Sequence, residues 1–165
     1  MAWISSDGGL TWIQAPELAD DCCSISALRD DRAVVAASSD VGDQIGAIVS
    51  TIDLTSHTWT RQTPPTMRDF RPVSAQVLGR SFVIFGWTVH RDPDEFIVDD
   101  QPVAFSSVDG FRWAQAILPE AWKGQSPVSV ATRANNLVAI VGPLATLNGP
   151  PESLTQTLWF GTASN

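Results

Sequence analysis

The side chains whose types and spacing could do chemistry here are carboxylates set beside glycine, hydroxyls and tryptophan, and a few arginines placed near aromatics. The carboxylates sit in three related stretches: Ser5-Ser6-Asp7-Gly8-Gly9-Leu10-Thr11-Trp12, Ser50 to Trp59 around Asp53, and Ser107-Val108-Asp109-Gly110-Phe111-Arg112-Trp113. Such a carboxylate could serve as a general acid or base, or it could accept hydrogen bonds from backbone N–H groups one or two residues on, with glycine supplying the positive φ of a tight reversal. The recurrence of Ser, Asp and a closing Trp in all three, with glycine in the first and third, favours the second role. Ser5 and Thr11 can add hydroxyl bonds, and Trp12 offers an apolar face to cover the turn.

The arginines and tryptophans offer a different chemistry, recognition of an anionic or sugar ligand by a cation beside an aromatic ring. Candidates are Arg68 and Arg71 in Met67-Arg68-Asp69-Phe70-Arg71, Trp122 beside Lys123, and Trp87 and Arg91 in the stretch from Trp87 to Asp100. That last stretch also carries five carboxylates, but Asp92, Asp94 and Asp99 lack the glycine of an EF-hand loop and are read as solvated rather than as a calcium site. Glu95, Glu120 and Glu152 fall in the same class of loop and could form a glycosidase carboxylate pair only if folding brought two of them together. No nucleophile elbow is visible, and His57 and His90 with the adjacent Cys22 and Cys23 give no zinc spacing, so neither a metal nor a cofactor is expected. Adjacent cysteines would need a strained ring to form a disulfide, so their redox state stays open.

Composition restricts the partners. The net charge is −8, and nine of the ten basic residues are Arg, with Lys123 the one lysine, so a phosphate backbone would meet an acidic surface and nucleic acid is not an expected partner. No apolar run reaches the roughly 18 residues of a membrane span. The mean hydropathy of +0.03, with charged residues at only 17%, predicts a folded chain with an apolar core.

The elements that must position these residues are short strands. Ile25–Leu28 with Ala33–Ala37, Val73–Leu78 with Ser81–Gly86, and Val128–Thr132 with Leu137–Gly142 align as hairpins, each with a near-continuous apolar second strand that reads as interior. A second series interleaves with them: Ala2–Ser5, Ala47–Ser50, Val103–Ser106 and Leu158–Gly161, the first three followed by a turn and a tryptophan. The closing tryptophans Trp12, Trp59 and Trp113 are 47 and 54 residues apart. A period of about 50 residues with four strands per unit predicts an all-β partial β-propeller, with about three four-stranded antiparallel blades.

The first turn resembles the Asp box of bacterial neuraminidase repeats, Ser-x-Asp-x-Gly-x-Thr-Trp, through Ser5, Asp7, Gly9, Thr11 and Trp12. Ser107, Asp109, Gly110 and Trp113 keep the pattern with one residue fewer and Arg112 in place of Thr, and Ser50, Asp53, Thr58 and Trp59 keep it in a longer turn without the glycine. The resemblance implies that each box joins the third and fourth strands of a blade. Residues 2–15 would then be a half blade, 23–61 and 72–115 blades, and 127–162 an incomplete blade, with the rest of the ring supplied by sequence outside the 165 residues. It also implies that the boxes are structural and that ligands meet the opposite face. That face would carry the loops from Ser38 to Gly46, Trp87 to Pro102 and Pro143 to Thr157, and those from Ala15 to Cys22, Gln62 to Arg71 and Ile117 to Ser126.

Sialidases of this kind use a Tyr-Glu pair and an arginine cluster. This chain has no tyrosine, and Phe70-Arg71-Pro72 lacks the Ile of their Phe-Arg-Ile-Pro motif. The reading is therefore a non-enzymatic segment that binds a protein or carbohydrate ligand, as sortilin-like receptors do, outside the cytoplasm or in the cell envelope. The alternative is part of a sialidase-like or other glycoside hydrolase whose catalytic residues lie largely in missing blades.

Overall fold

The computed structural model describes residues 3–4, 9–14, 25–41, 44–91, 97–143 and 156–162. It is all-β and antiparallel. A two-stranded ribbon pairs β1 (Trp3–Ile4) with β2 (Ile13–Gln14). A first four-stranded sheet follows in chain order: β3 (Ile25–Arg29), β4 (Arg32–Val41), β5 (Gln44–Asp53) and β6 (Thr58–Gln62). A second repeats it with β7 (Phe70–Leu78), β8 (Ser81–Arg91), β9 (Ile97–Ser107) and β10 (Ala114–Ala116). The third has β11 (Gln125–Arg133), β12 (Asn136–Pro143) and β13 (Thr157–Thr162). The helical turns among the described residues are single 3-10 turns, Pro65–Met67 and Glu120–Trp122, and no described helix is long and apolar enough to cross a membrane.

The three sheets stack face to face. β7 packs against β3, β4 and β5, and β11 packs against β7, β8 and β9. Period-two alternation decides which side chain enters which interface. On β4, Val34 and Ala36 face the second sheet while Ala33 and Val35 face away. On β8, Phe82 and Ile84 face the first sheet while Val83 and Phe85 face the third. The central sheet is thus buried on both sides, which is why β8 reads as a continuous apolar run. Phe70 and Phe105 meet edge to face at 5.0 Å in the first interface, and burying each such ring contributes about 1.5–3 kcal/mol. In the second interface Phe85 meets Trp122, and the Thr132 hydroxyl donates to Gln76 Oε1 at 3.3 Å.

The interior reading of the second strands holds for β4 and β8 but only for one face of β12. Val138 and Ile140 lie beside Phe160 and Leu158 of β13 on the outer face of the third sheet, and Phe160 is 74% exposed. Two expected loops are also corrected. Within the stretch from Ser38 to Gly46, β4 runs on to Val41 and β5 begins at Gln44. Within that from Trp87 to Pro102, β8 reaches Arg91 and β9 begins at Ile97, with Val89 opposite Asp99 and His90 opposite Val98. β-branched residues on both arms, Thr88 and Val89 against Ile97 and Val98, suit a pleated pair and outweigh the charged residues between them.

Two features of the backbone recur. β7 and β11 both bulge at Pro-Val-Ser, with the register slipping between Pro72 and Ser74 and between Pro127 and Ser129. The two-residue hairpins that open the three sheets put a positive φ on their first central residue: Asp30 at 53°, Gly79 at 61° and Ala134 at 52°. Gly79 is at ease there, whereas the Cβ of Ala134 is crowded by its own backbone. Ala134→Gly should therefore raise the urea midpoint, by up to about 1 kcal/mol in stability after allowing for the greater freedom of glycine in the unfolded chain.

Candidate functional site

Polar residues gather at the two ends of the stacked strands, and they behave differently there. At one end lies the β9–β10 turn. The Asp109 carboxylate accepts the backbone N–H groups of Phe111 and Arg112, both at 2.8 Å, and the Ser107 hydroxyl at 3.0 Å, while Ser107 Oγ itself accepts the Gly110 N–H at 2.8 Å. Trp113 closes the turn, donating its indole N–H to the Gly110 carbonyl at 3.1 Å. That carbonyl also accepts the Thr51 hydroxyl at 2.7 Å and the Gln62 amide at 3.0 Å, so the turn of the second sheet is clasped by β5 and β6 of the first.

Two arginines extend the clasp. Arg32 donates to the Asp109 carbonyl at 3.0 Å and stacks over the Phe111 ring, and Arg29 donates to the carbonyls of Arg80 and Val108 while lying over the Phe82 ring. Asp53 serves the β5–β6 turn in the same manner, accepting the N–H groups of Thr55 and Ser56 at 3.0 and 2.8 Å. Trp59 packs half-buried against the cluster of Ala33, Val35 and Ile52. In the first turn the Trp12 indole donates to the Gly9 carbonyl at 3.0 Å, the same three-residue reach as Trp113 to Gly110. Gly9 takes a φ of 92° and Gly110 one of 80°. Trp12 stands 58% exposed, beside Thr11; Ser5 and Asp7 lie outside the described residues.

These contacts set the chemistry of the carboxylates. The Arg112 backbone N–H, followed by that of Phe111 and the Ser107 hydroxyl, holds the Asp109 carboxyl below its ordinary value of 3.8 against the opposing effect of burial. The backbone and hydroxyl of Ser56 do the same for Asp53. A carboxyl whose proton affinity is lowered in this way is a fixed acceptor and a poor general acid near neutral pH.

The other end of the strands carries the arginine and tryptophan candidates, and the structure distributes them. Arg68 lines a cleft of about 610 Å³ with Arg61, Ser39, Thr63, Ile48 and Pro65. Arg71 and Trp87 are cross-strand partners on β7 and β8, both half-buried, and Arg91 ends β8. Trp122 is 2% exposed and packs in the second core, forming the floor of a cleft of about 530 Å³ under Lys123 and Gln115. The indole N–H groups of Trp87 and Trp122 are buried without a hydrogen-bond partner among the described residues. Glu120 is exposed and pairs with Lys123 at 3.5 Å, whereas Glu95, Glu152, Cys22 and Cys23 fall outside the described residues. Among the described residues no group of three or more His, Cys, Asp or Glu could hold a metal ion.

The two clefts are built by a repeat that the reading of hairpins missed. Pro64 to Ser74 and Pro119 to Ser129 align without a gap: PPTMRDFRPVS and PEAWKGQSPVS. Each begins with proline and a single 3-10 turn, in which the Met67 N–H reaches the Pro64 carbonyl and the Trp122 N–H the Pro119 carbonyl, both at 2.9 Å. Each then buries a large side chain, Met67 or Trp122, sets a cation on the surface, Arg68 or Lys123, and turns through a positive φ at Asp69 (55°) or Gly124 (72°). The two prolines at equal spacing, followed by Val-Ser, were the signal that could have revealed it.

No family model and no curated protein matches the chain.

Two outcomes follow for the clasp. Gly110→Ala should destabilise the fold by about 2 kcal/mol or more in urea unfolding, because a Cβ at this φ would press on Thr51 and Val34 at 3.0–3.1 Å. The unfolded chain, with Asp109 at its ordinary value, binds protons that the folded chain does not. The stabilisation from this carboxylate is complete above that value and is lost as pH falls through it to the depressed folded value. Urea midpoints from pH 7 to pH 2.5 should therefore converge for the wild type and Asp109→Asn at the acid end and separate at neutral pH.

Proposed function

We propose that this chain is a repeat segment of a β-propeller and that it works by binding or scaffolding, holding a protein or carbohydrate ligand without converting it. The observation that carries the reading is the occupation of Asp109 and Asp53 by their own backbone amides, which makes the most conspicuous carboxylates clasps of the fold. The stacking supports the propeller part of the proposal. Each interface joins the Val34-type face of one sheet to the Phe82-type face of the next, a head-to-tail relation that can continue from sheet to sheet. The outer face of the third sheet, with Val138, Leu158 and Phe160, is of the first type and suits another sheet of the same kind.

In this proposal the ligand-facing end is the one bearing the two clefts, away from the clasped turns. Purified protein incubated with a panel of aryl glycosides, including an aryl sialoside, should release no aryl alcohol above the enzyme-free blank. Turnover that disappears in Glu95→Gln, Glu120→Gln or Glu152→Gln protein would overturn the proposal in favour of a glycoside hydrolase.

A further inference from the structure

The two equivalent clefts differ in charge, and the difference points to a ligand. Arg61 and Gln115 occupy the same rung of their sheets, counted from the first hairpin turn: Arg61 lies opposite Ser50 and Val35, Gln115 opposite Phe105 and Ile84. Arg68 and Lys123 occupy the same place in the connector repeat. In the second cleft the cation is neutralised by Glu120, one helical step before it, and the rung position is the uncharged Gln115. In the first cleft Glu120 is replaced by Pro65 and Gln115 by Arg61. Two exposed guanidiniums thus line one cavity, neither has an ion-pair partner among the described residues, and no described residue lining it is acidic.

The second cleft shows that this connector folds with a neutral lining. The two charges of the first are therefore not needed to build it, and in a chain of net charge −8 two arginines with no ion-pair partner among the described residues are a local reversal of sign. Guanidinium groups present planar forks of N–H donors that match the oxygens of a carboxylate or phosphate. Among the other described lining residues, Ile45, Ile48, Pro64 and Pro65 are apolar, and Ser39 and Thr63 are the ones with hydroxyls to serve a ligand's polar groups. A richly hydroxylated ligand would lose hydrogen bonds to water there without replacing them.

We propose that the Arg61–Arg68 cleft binds an organic oxyanion, a carboxylate or phosphate attached to an apolar body, with the anion between the guanidiniums and the body against the isoleucines and prolines. This deepens the binding role proposed above and rests on it only for the absence of turnover. The cleft lies on the first sheet and its connector, whether or not the sheets belong to a closed ring.

The test is a titration of the whole chain followed by 1H–15N correlation spectra, with 4-phenylbutyrate, phenyl phosphate and the neutral 4-phenylbutanol as probes. One or both anions should give saturable shifts of the Gly46, Thr63 and Arg68 amides that weaken with added salt, and 4-phenylbutanol should give none. Which anion binds more tightly tells carboxylate from phosphate. Arg61→Gln and Arg68→Gln should each weaken binding at least about tenfold, while Lys123→Gln should leave it unchanged. Both arginines are exposed, so their spectra should otherwise match the wild type. Absence of saturable shifts with both anions, or equal affinity in the double Arg61→Gln/Arg68→Gln protein, overturns the proposal. Either result leaves the glycoside assay to decide separately whether the chain is catalytic.

Discussion

The carbonyl of Gly110 is the point on which the relation between the first two sheets depends. It accepts an indole N–H from its own turn, a hydroxyl from β5 and an amide from β6, at 3.1, 2.7 and 3.0 Å. Burial makes these bonds valuable, because each donor left without its acceptor would lose water and gain nothing. Thr51 is 2% exposed, so its hydroxyl has no route back to solvent. The apolar contacts between the sheets are larger in area but nondirectional. They would tolerate a slip along the strands that the three-donor carbonyl, together with Arg32 on the Asp109 carbonyl and Arg29 on those of Arg80 and Val108, does not permit.

The same clasp divides the molecule into two ends of different chemical character. At the clasped end, carboxylates, hydroxyls and guanidiniums satisfy backbone groups, and their charges are fixed by geometry. At the other end, the connectors between sheets are held by the buried side chains of Met67 and Trp122 and by backbone bonds: the Asp69 N–H donates to the Ile45 carbonyl at 2.8 Å, and the Val89 N–H donates to the Asp69 carbonyl at 2.7 Å. The exposed side chains of Arg61 and Arg68 take no part in those contacts. Arg61 and Arg68 can therefore vary in identity, as Gln115 and Lys123 do in the next repeat, without altering the fold.

Much of this architecture was legible in the residues. Near-continuous apolar runs located β4 and β8, and Asp109 with Gly110 identified a turn whose carboxylate serves its own amides. The long charged stretch after Trp87 misled because charge density was read as loop, while Thr88, Val89, Ile97 and Val98 carry enough β preference to extend the hairpin. The connector repeat went unread for another reason. Its fixed points are prolines and a positive φ, and the buried residue changes from Met67 to Trp122 and the turn residue from Asp69 to Gly124, so similarity of type is weak where similarity of conformation is strong.

By itself, then, the sequence determined the strands, their pairing into consecutive hairpins and the self-contained turns, because each rests on interactions within a few residues or on the alternation of a pleated strand. Tertiary structure alone decided which faces meet, that Thr51 and Gln62 reach across to Gly110, and that Arg61 and Arg68, seven residues apart, line one cavity whose described lining holds no carboxylate. Those outcomes depend on the stacking of sheets and the path of a proline turn, which bring together groups whose separation along the chain carries no record of their proximity.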